Sequence, residues 1–380
     1  MEVAFNSAVL NFESNNNDNN NGTRIAMRTD ARPIMWKGIQ GCENFSTPVT
    51  VDEAINAVGA NFEVTKQHLI RVPDSLINSI LNGEPSAGVT LTRDMIIKSH
   101  MATVRADRNI TLGVVGSKYG VVQNSKAFEF INLLASGVQG SEKAVIETAG
   151  ILGDGERMYV TAKLPSDIYL DNNGKDPVND YILFTNTHDG SGAVTVLFTP
   201  IRVICQNTLN MALKTAQNKL VYKHTSNVNS RLEWSEEENL RHAIDIIGRH
   251  RKFKESFKES LFALRETRVT DKDIMRFASN IILGDAKHEE KKELEQADFK
   301  LDSAKLISNT IKNRITTLRD TIESGIGQDM YRGSKLWLLN GLTTFFSNEK
   351  KYKSNEDKYN SIIEGTDANK LNMAYKLLVA

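Results

Sequence analysis

The stretch that decides the fold is DYILFTNTHDGSGAVTVLFTPIRVIC, residues 180–205. Residues 181–185 and 193–205 are apolar and rich in β-branched and aromatic side chains, and a polar run with two glycines separates them. This pattern predicts two strands joined by a turn, because glycine and asparagine tolerate backbone conformations that most residues avoid. The turn is interpreted either as a plain connection or as a small polar site.

After the second strand, the sequence predicts a helix from Leu209. Asn207 or Thr208 can begin it, because a side-chain oxygen there accepts a hydrogen bond from an otherwise unpaired amide. Arg202 lies nearby in an apolar strand.

A buried guanidinium needs an acceptor, since an unpaired buried charge is strongly destabilising. Asp107 or Asp189 would supply the carboxylate for Arg202. Contact with a phosphate is the alternative, because arginine suits both bidentate roles.

The composition is that of a globular protein. The 380 residues are 40% hydrophobic and 25% charged, with 47 basic and 47 acidic side chains. A zero net charge argues against a nucleic-acid binder that is basic overall, although local patches remain open. Only Cys42 and Cys205 are present, which excludes a disulfide framework and the paired spacings of a zinc module. Without a signal sequence or an apolar run of about 20 residues, we expect a cytoplasmic protein with no membrane association.

Three regions follow from the pattern along the chain. Residues 1–27 are expected to form a flexible arm with an asparagine-rich linker, which buries too little apolar area to offset its ordering. Residues 28–230 should form a mixed α+β core domain, and residues 231–380 a mainly helical region. The expected fold class is α+β, with an antiparallel or mixed curved sheet and flanking helices before the helical C-terminal region.

Local signals place the first elements. Thr50 and Glu53 have the spacing of a capping box, which predicts a short helix over residues 50–58. Residues 61–72 alternate like a strand, and residues 104–124 should give two or three short strands. The run Gly113-Val-Val-Gly116 superficially resembles a phosphate loop or an RNA-binding clamp, but the helical context is missing, so a turn between strands is preferred.

Later elements follow from changes in period. Asn124 or Ser125 should begin a helix, residues 147–164 should add strands, and residues 165–180 should form a solvated loop. From about Leu232 the apolar spacing becomes helical, giving a long helix to Leu264 and further helices at residues 307–322, 335–346 and 368–378. The polar face of the long helix is the most basic stretch of the chain and includes Arg249, Arg251 and Lys252.

The hairpin also carries a resemblance. Together with several other motifs it resembles the phage/plasmid-like protein family, a domain-of-unknown-function family of bacteriophages and mobile elements. The matching residues outside the hairpin are Val104-Arg105-Ala106-Asp107, Leu112 to Gly116, Tyr119, Val122-Gln123-Asn124, Phe128, Glu147 to Gly150, His224-Thr225, Asn227, Gly333-Ser334, Trp337 and Asn340. The resemblance covers roughly residues 30–380 and implies no settled biochemical activity. It does suggest, by analogy, the single-strand annealing proteins that mobile elements often encode.

We therefore expect binding of single-stranded nucleic acid, in an annealing or recombination role and without a cofactor or metal. A cationic track with aromatic platforms recognises such strands. The residues expected to contact nucleic acid are Arg105, Tyr119, Lys163, Arg202, Arg249, Arg251 and Lys252. The residues expected to shape an adjoining polar site are Asp107, Gln123, Asn124, Asn186, His188, Asp189, Asn207, His224 and Asn227.

Two other classes of function stay open. A protein-interaction factor, for counter-defence or assembly, would use the N-terminal arm and the helical region to form a homo-oligomer. A hydrolase or metal-dependent enzyme would use the turn at His188 and Asp189 with His224 and Cys205, although Cys205 in an apolar strand is more typical of a core residue. No catalytic residue is assigned.

Overall fold

The structure is a computed structural model that describes residues 24–28, 43–45, 49–82, 92–128, 144–164, 168–170, 177–202, 207–208, 219–226, 236–284, 287–325, 329–354, 357–358, 361–362 and 365–379. Its strands are β1 Arg24–Arg28, β2 Glu43–Phe45, β3 Val64–Ile70, β4 Ile96–Arg105, β5 Ile110–Gly116, β6 Val145–Leu152, β7 Arg157–Lys163, β8 Ile168–Tyr169, β9 Pro177–Thr187, β10 Val194–Arg202, β11 Asn207–Thr208 and β12 Lys219–Tyr222. Its α-helices are α1 Val51–Ala57, α2 Asp74–Leu81, α3 Glu236–Glu266, α4 Asp271–Leu283, α5 His288–Gln296, α6 Asn309–Ser324, α7 Lys335–Thr344 and α8 Thr366–Val379.

The predicted hairpin forms part of the larger sheet. Strands β9 and β10 pair antiparallel, with Thr185 opposite Thr195 and Val178 opposite Arg202. The main order is β11-β10-β9-β7-β6-β1-β2, and β12 and β8 pair with β10 and β9 respectively. Pairing is antiparallel except between β1 and β2. The hairpin is therefore confirmed.

A second sheet has the order β3-β4-β5 and is antiparallel throughout. Its packed end is buried, with Val64 and Val104 shielded from solvent, whereas residues 66–68 and 96–100 are exposed. The run from Gly113 to Gly116 lies within β5, so it forms part of a strand and not the preferred turn. Only its last residue adjoins the turn at residues 117–118.

The capping box predicted from the sequence is present. Thr50 accepts the amide of Glu53, and the carboxylate of Glu53 accepts the amide of Thr50. The amides of Thr50 and Glu53 would otherwise be unpaired donors at the start of a helix. The two reciprocal bonds therefore fix where α1 begins. Its buried residues Val51, Ala54 and Ile55 then join the core.

The helical C-terminal region is also confirmed, and with it the α+β class. Helix α3 buries the predicted apolar stripe of Phe253, Phe257, Leu261 and Leu264. Helices α6 and α7 cross closely at Gly341, where a methyl group would lie 2.6 Å from the Cα of Ile322. Helices α4 and α5 did not emerge from the sequence pattern.

One buried apolar cluster joins the large sheet to the helices, running in sequence from Ala26 to Leu378. An ion pair between Lys254 on α3 and the buried Asp180 on β9, 3.2 Å apart, adds a polar contact between the two regions. Among the described helices, none is long and apolar enough to cross a membrane.

Some expectations differ from the structure or lie outside it. The expected loop at residues 165–180 contains strand β8 and the first residues of β9. Residues 24–27, placed in the flexible linker, form most of β1. The rest of the predicted N-terminal arm, residues 1–23, and the helix from Leu209 lie outside the described residues.

Candidate functional site

The turn of the hairpin, residues 188–193, lies against β5 of the smaller sheet. A methyl group at Gly113 would lie only 2.5 Å from the Cα of Asp189, so the two backbones touch where glycine has no side chain. The carbonyl of His188 accepts a hydrogen bond from the buried Thr103 hydroxyl at 2.7 Å, and its amide donates to the carbonyl of Glu156 at 2.7 Å. Both sheets thus hold the turn.

A buried polar cluster fixes the start of the turn. Asn124 donates from Nδ2 to the carbonyl of Ala60 at 3.0 Å, so its Oδ1 faces the hairpin as an acceptor. That oxygen accepts from Asn186 Nδ2 at 2.9 Å and from His188 Nε2 at 3.0 Å. Asn186 also donates to the carbonyl of Val122 at 3.0 Å. Asn124 therefore connects a helical turn at residues 124–128 to β9.

These bonds define the tautomer of His188. Because Nε2 carries the hydrogen, Nδ1 keeps its lone pair, and no described group donates to it. Burial lowers the pKa of His188 to about 3, and the neighbouring His224 acts in the same direction. The imidazole is thus neutral near pH 7 and serves as a hydrogen-bond donor inside the fold.

We expect the free energy of unfolding to fall as the pH decreases below about 6.5. The unfolded His188 titrates near 6.5 and the folded one near 3, so between these values the unfolded chain binds more protons. One such group contributes a slope approaching about 1.4 kcal/mol per pH unit. His224, whose pKa burial also lowers, adds to the slope below its ordinary value.

Urea unfolding across this pH range checks the expectation. His188→Gln retains an amide donor for Asn124 but cannot titrate, so its stability should depend less steeply on pH than that of the unaltered protein. An unchanged slope in His188→Gln would assign the acid sensitivity to other groups.

The next residue, Asp189, has different partners. Its carboxylate lies 3.6 Å from Nε of Arg157 and accepts the amide of Ser191 at 2.9 Å. The Ser191 hydroxyl also donates to Asp189 and accepts from Arg157 at 2.7 Å. The two adjacent residues expected to act together in an enzyme, His188 and Asp189, therefore have separate sets of partners.

Tyr119 and His224 form a stacked pair beside the turn. Their ring centroids are 4.7 Å apart and the rings are 18° from parallel. The phenol donates to the carbonyl of Thr187 at 2.9 Å, and His224 Nδ1 lies 3.0 Å from the carbonyl of Gly120. His224 Nδ1 therefore carries the hydrogen, and Nε2 is left as a buried acceptor without a described donor.

An open pocket of about 450 Å³ adjoins this pair. It lies between the hairpin turn and strand β12. Its lining residues are Tyr119, Gly190, Ser191, Gly192, Ala193, Thr195, Val221, Lys223 and His224. The pocket thus combines an aromatic wall, a glycine-containing turn and one lysine.

Three lysines lie near Tyr119 in the chain or in the structure. Lys66 donates from Nζ to the carbonyl of Tyr119 at 2.8 Å, Lys118 precedes Tyr119 in the chain, and Lys223 lines the pocket. All three are exposed, and no described carboxylate pairs with them. Their positive charges are therefore available to an anionic ligand.

Two expected site residues, Arg105 and Asp107, form an ion pair at the end of β4. Arg105 is 3% exposed, and its guanidinium donates to both oxygens of Asp107 at 2.8 and 3.0 Å. It also donates to the carbonyls of Asp154 and Gly59, and it lies 4.0 Å from the ring centre of Phe62. Phosphate contact by Arg105 stays a prediction, and it would have to replace these bonds.

Gln123 and Lys163 are placed differently. The amide of Gln123 bonds both the N–H and the carbonyl of Val64, at 2.9 and 2.8 Å, and so extends the hydrogen bonding at the outer edge of β3. Lys163 is half-buried at the end of β7 and does not line the pocket. Gln123 therefore has a structural role beside the site.

The suggested ion-pair partners of Arg202 are engaged elsewhere. Asp107 pairs with Arg105, and Asp189 pairs with Arg157. The side chains of Arg202 and Asn207, and all of Cys205 and Asn227, lie outside what the structure describes.

The basic face of α3 is separate from the pocket lining. Arg249 pairs with Asp245 four residues earlier at 2.7 Å, whereas Arg251 and Lys252 are exposed. Across the described part of the chain, no three His, Cys, Asp or Glu side chains are grouped to hold a metal ion.

Fold and site together define an α+β protein of two sheets, antiparallel except between β1 and β2, with a helical C-terminal region and a pocket at a hairpin turn. The family model described as "Domain of unknown function (DUF932)" matches residues 111–364, well over half of the chain. The protein therefore belongs to this family. Comparison with curated proteins and with solved structures found no match.

Proposed function

We propose that the protein binds single-stranded nucleic acid at the surface around Tyr119. The observation that carries the proposal is that Lys66, Lys118 and Lys223 lie near one aromatic residue, without carboxylate partners among the described residues. A cationic surface attracts the phosphate backbone, and an aromatic ring offers a stacking platform.

The charge distribution supports this location over α3. Although the net charge is zero, the three lysines form a local excess where Asp189, the nearest acidic side chain of the turn, is already paired with Arg157. On α3, Lys254 pairs with Asp180 and Arg249 with Asp245. Arg251 and Lys252 remain exposed and constitute a second candidate surface.

The biological role we infer is recombination or replication of a bacteriophage or other mobile element. The resemblance of the hairpin and its flanking motifs to the phage/plasmid-like family supports this role. A homo-oligomer stays a prediction.

We expect Lys118→Gln/Lys223→Gln to weaken binding of a labelled single-stranded oligonucleotide by about tenfold at low salt. Each lost phosphate contact should reduce the dependence of log affinity on log salt by about 0.7, hence by about 1.4 for both. Fluorescence anisotropy at low and physiological salt, with duplex as competitor, measures both quantities. Lys66 is left unaltered because its bonds to the carbonyls of Ser117 and Tyr119 have a structural role.

The matched control is Lys292→Gln, which alters an exposed lysine on α5. It should bind as the unaltered protein does. A reduced affinity in Arg251→Gln/Lys252→Gln, with none in the Lys118 and Lys223 variant, would move the interface to α3. No salt-sensitive binding by the unaltered protein would overturn the proposed function.

A further inference from the structure

The pocket beside Tyr119 has the size of a small-molecule site. Its volume of about 450 Å³ lies within the range of about 300–1,000 Å³ typical of ligand pockets. Its walls come from the hairpin turn, from β12 and from the segment after β5, so the site is built from parts distant in sequence. One monomeric unit of a polymer, rather than a longer segment, is suited to such a volume.

Part of the pocket lining suits an anion. Lys223 supplies an exposed ammonium group, whereas the hydroxyl of Ser191 already donates to Asp189. Gly190 and Gly192 have no side chains to shield the turn, and the ladder of β10 begins only at Val194. Turn amides outside a ladder can donate to a phosphate.

Asp189, the acidic residue of the turn, is already paired. Asp189 directs its carboxylate to Arg157 and Ser191, and Arg157 compensates the negative charge. The ammonium group of Lys223 therefore determines the preference for an anion.

Another part of the lining suits a flat, partly apolar group. Tyr119 is held in place by the hydrogen bond from its hydroxyl to Thr187 and by the stacking of its ring on His224. Val221, 45% exposed, adds an apolar side chain from β12. A ring fixed in advance loses little freedom when a ligand packs against it, which favours binding.

We infer that this pocket holds a single nucleotide, with the phosphate at Lys223 and the turn and the base against Tyr119 and Val221. The inference rests on the proposed function, since the nucleotide would be one unit of the bound strand. It adds a defined position at which one base leaves the strand's own stack and is bound individually. The same chemistry predicts that a free nucleoside monophosphate binds without any polymer.

Isothermal titration of the full chain with a nucleoside monophosphate, the matching nucleoside and inorganic phosphate tests the pocket directly. The expected result is binding of the monophosphate, with each of the other two at least tenfold weaker. Val221→Trp fills the pocket from an exposed position and should reduce monophosphate affinity at least tenfold. Val114→Trp is the matched control, because Val114 is an exposed strand residue outside the lining and should leave affinity unchanged.

The outcomes separate this inference from the proposed function. If the protein binds the oligonucleotide but not the monophosphate, the nucleotide pocket is wrong and the nucleic-acid surface is retained. The same holds if Val221→Trp changes the affinity for neither ligand. If the protein binds the monophosphate but not the oligonucleotide, the proposed binding of single-stranded nucleic acid is wrong and the pocket remains a nucleotide site. Equal affinity for inorganic phosphate and the monophosphate overturns the assignment of a base to Tyr119.

Discussion

Gly113→Ala is expected to lower the free energy of unfolding by about 3 kcal/mol, near the upper end for added volume in a packed interior. The new methyl carbon would lie 2.5 Å from the Cα and 2.9 Å from the carbonyl oxygen of Asp189. Both are backbone atoms of the hairpin turn, so no side-chain rotation relieves the overlap. The two sheets must separate or the turn must move.

The matched control is Gly116→Ala in the same strand. A methyl group there meets nothing within 4 Å, and the residue is exposed. Urea denaturation of both variants should show a loss only for Gly113→Ala. Equal stability of the two would mean that the turn does not rest on β5.

Gly113 also shows where sequence analysis reaches its limit. The spacing of Gly113 and Gly116 superficially resembles a phosphate loop, and the missing helix favoured a turn over that interpretation. Yet β5 passes through both residues, and the reason for glycine lies 76 positions later, at Asp189. A contact between backbones from two sheets leaves no local pattern in one sequence.

Interactions between residues close together in the chain were predictable, because they do leave a local sequence pattern. The capping box of Thr50 and Glu53, the β9–β10 hairpin and the apolar stripe of α3 each depend on residues close together in the chain. Their patterns reflect backbone geometry directly, so spacing alone identifies them. The ion pair of Arg105 with Asp107 is equally local, but the sequence analysis did not predict it and offered Asp107 as a partner for Arg202.

The site itself was only partly predictable. Tyr119 and His224 were expected functional residues, and the structure brings them together, but Lys66, Lys118 and Lys223 were not singled out. Each lysine lies in a different segment, and none belongs to a basic run comparable to that of α3. The three lysines come near Tyr119 only when the strands pair, and one sequence does not reveal that pairing.

Asn124→Ala is expected to destabilise the protein by about 3 kcal/mol or more, because several buried groups lose their partner at once. The carbonyl of Ala60 loses a donor, and His188 Nε2 loses its acceptor. Asn186 retains the carbonyl of Val122 but loses the shorter of its two bonds. Each unsatisfied buried group costs about 1–3 kcal/mol, so the effect should exceed that of an ordinary hydrogen bond.

The exposed neighbour Asn61 provides the control, since Asn61→Ala should change stability by no more than about 0.5 kcal/mol. A second variant, Asn124→Asp, has nearly the same size as the native side chain. It retains the acceptor for His188 but cannot donate to the carbonyl of Ala60. Its carboxylate should raise the pKa of His188 from about 3, since a nearby negative charge favours the imidazolium. The folded pKa of His188 would then lie closer to the unfolded pKa near 6.5. The unfolded chain would therefore bind fewer extra protons relative to the folded protein. Asn124→Asp should therefore lose less stability on acidification than the unaltered protein, and an equal or larger loss in urea unfolding would contradict the bond between Asn124 and His188.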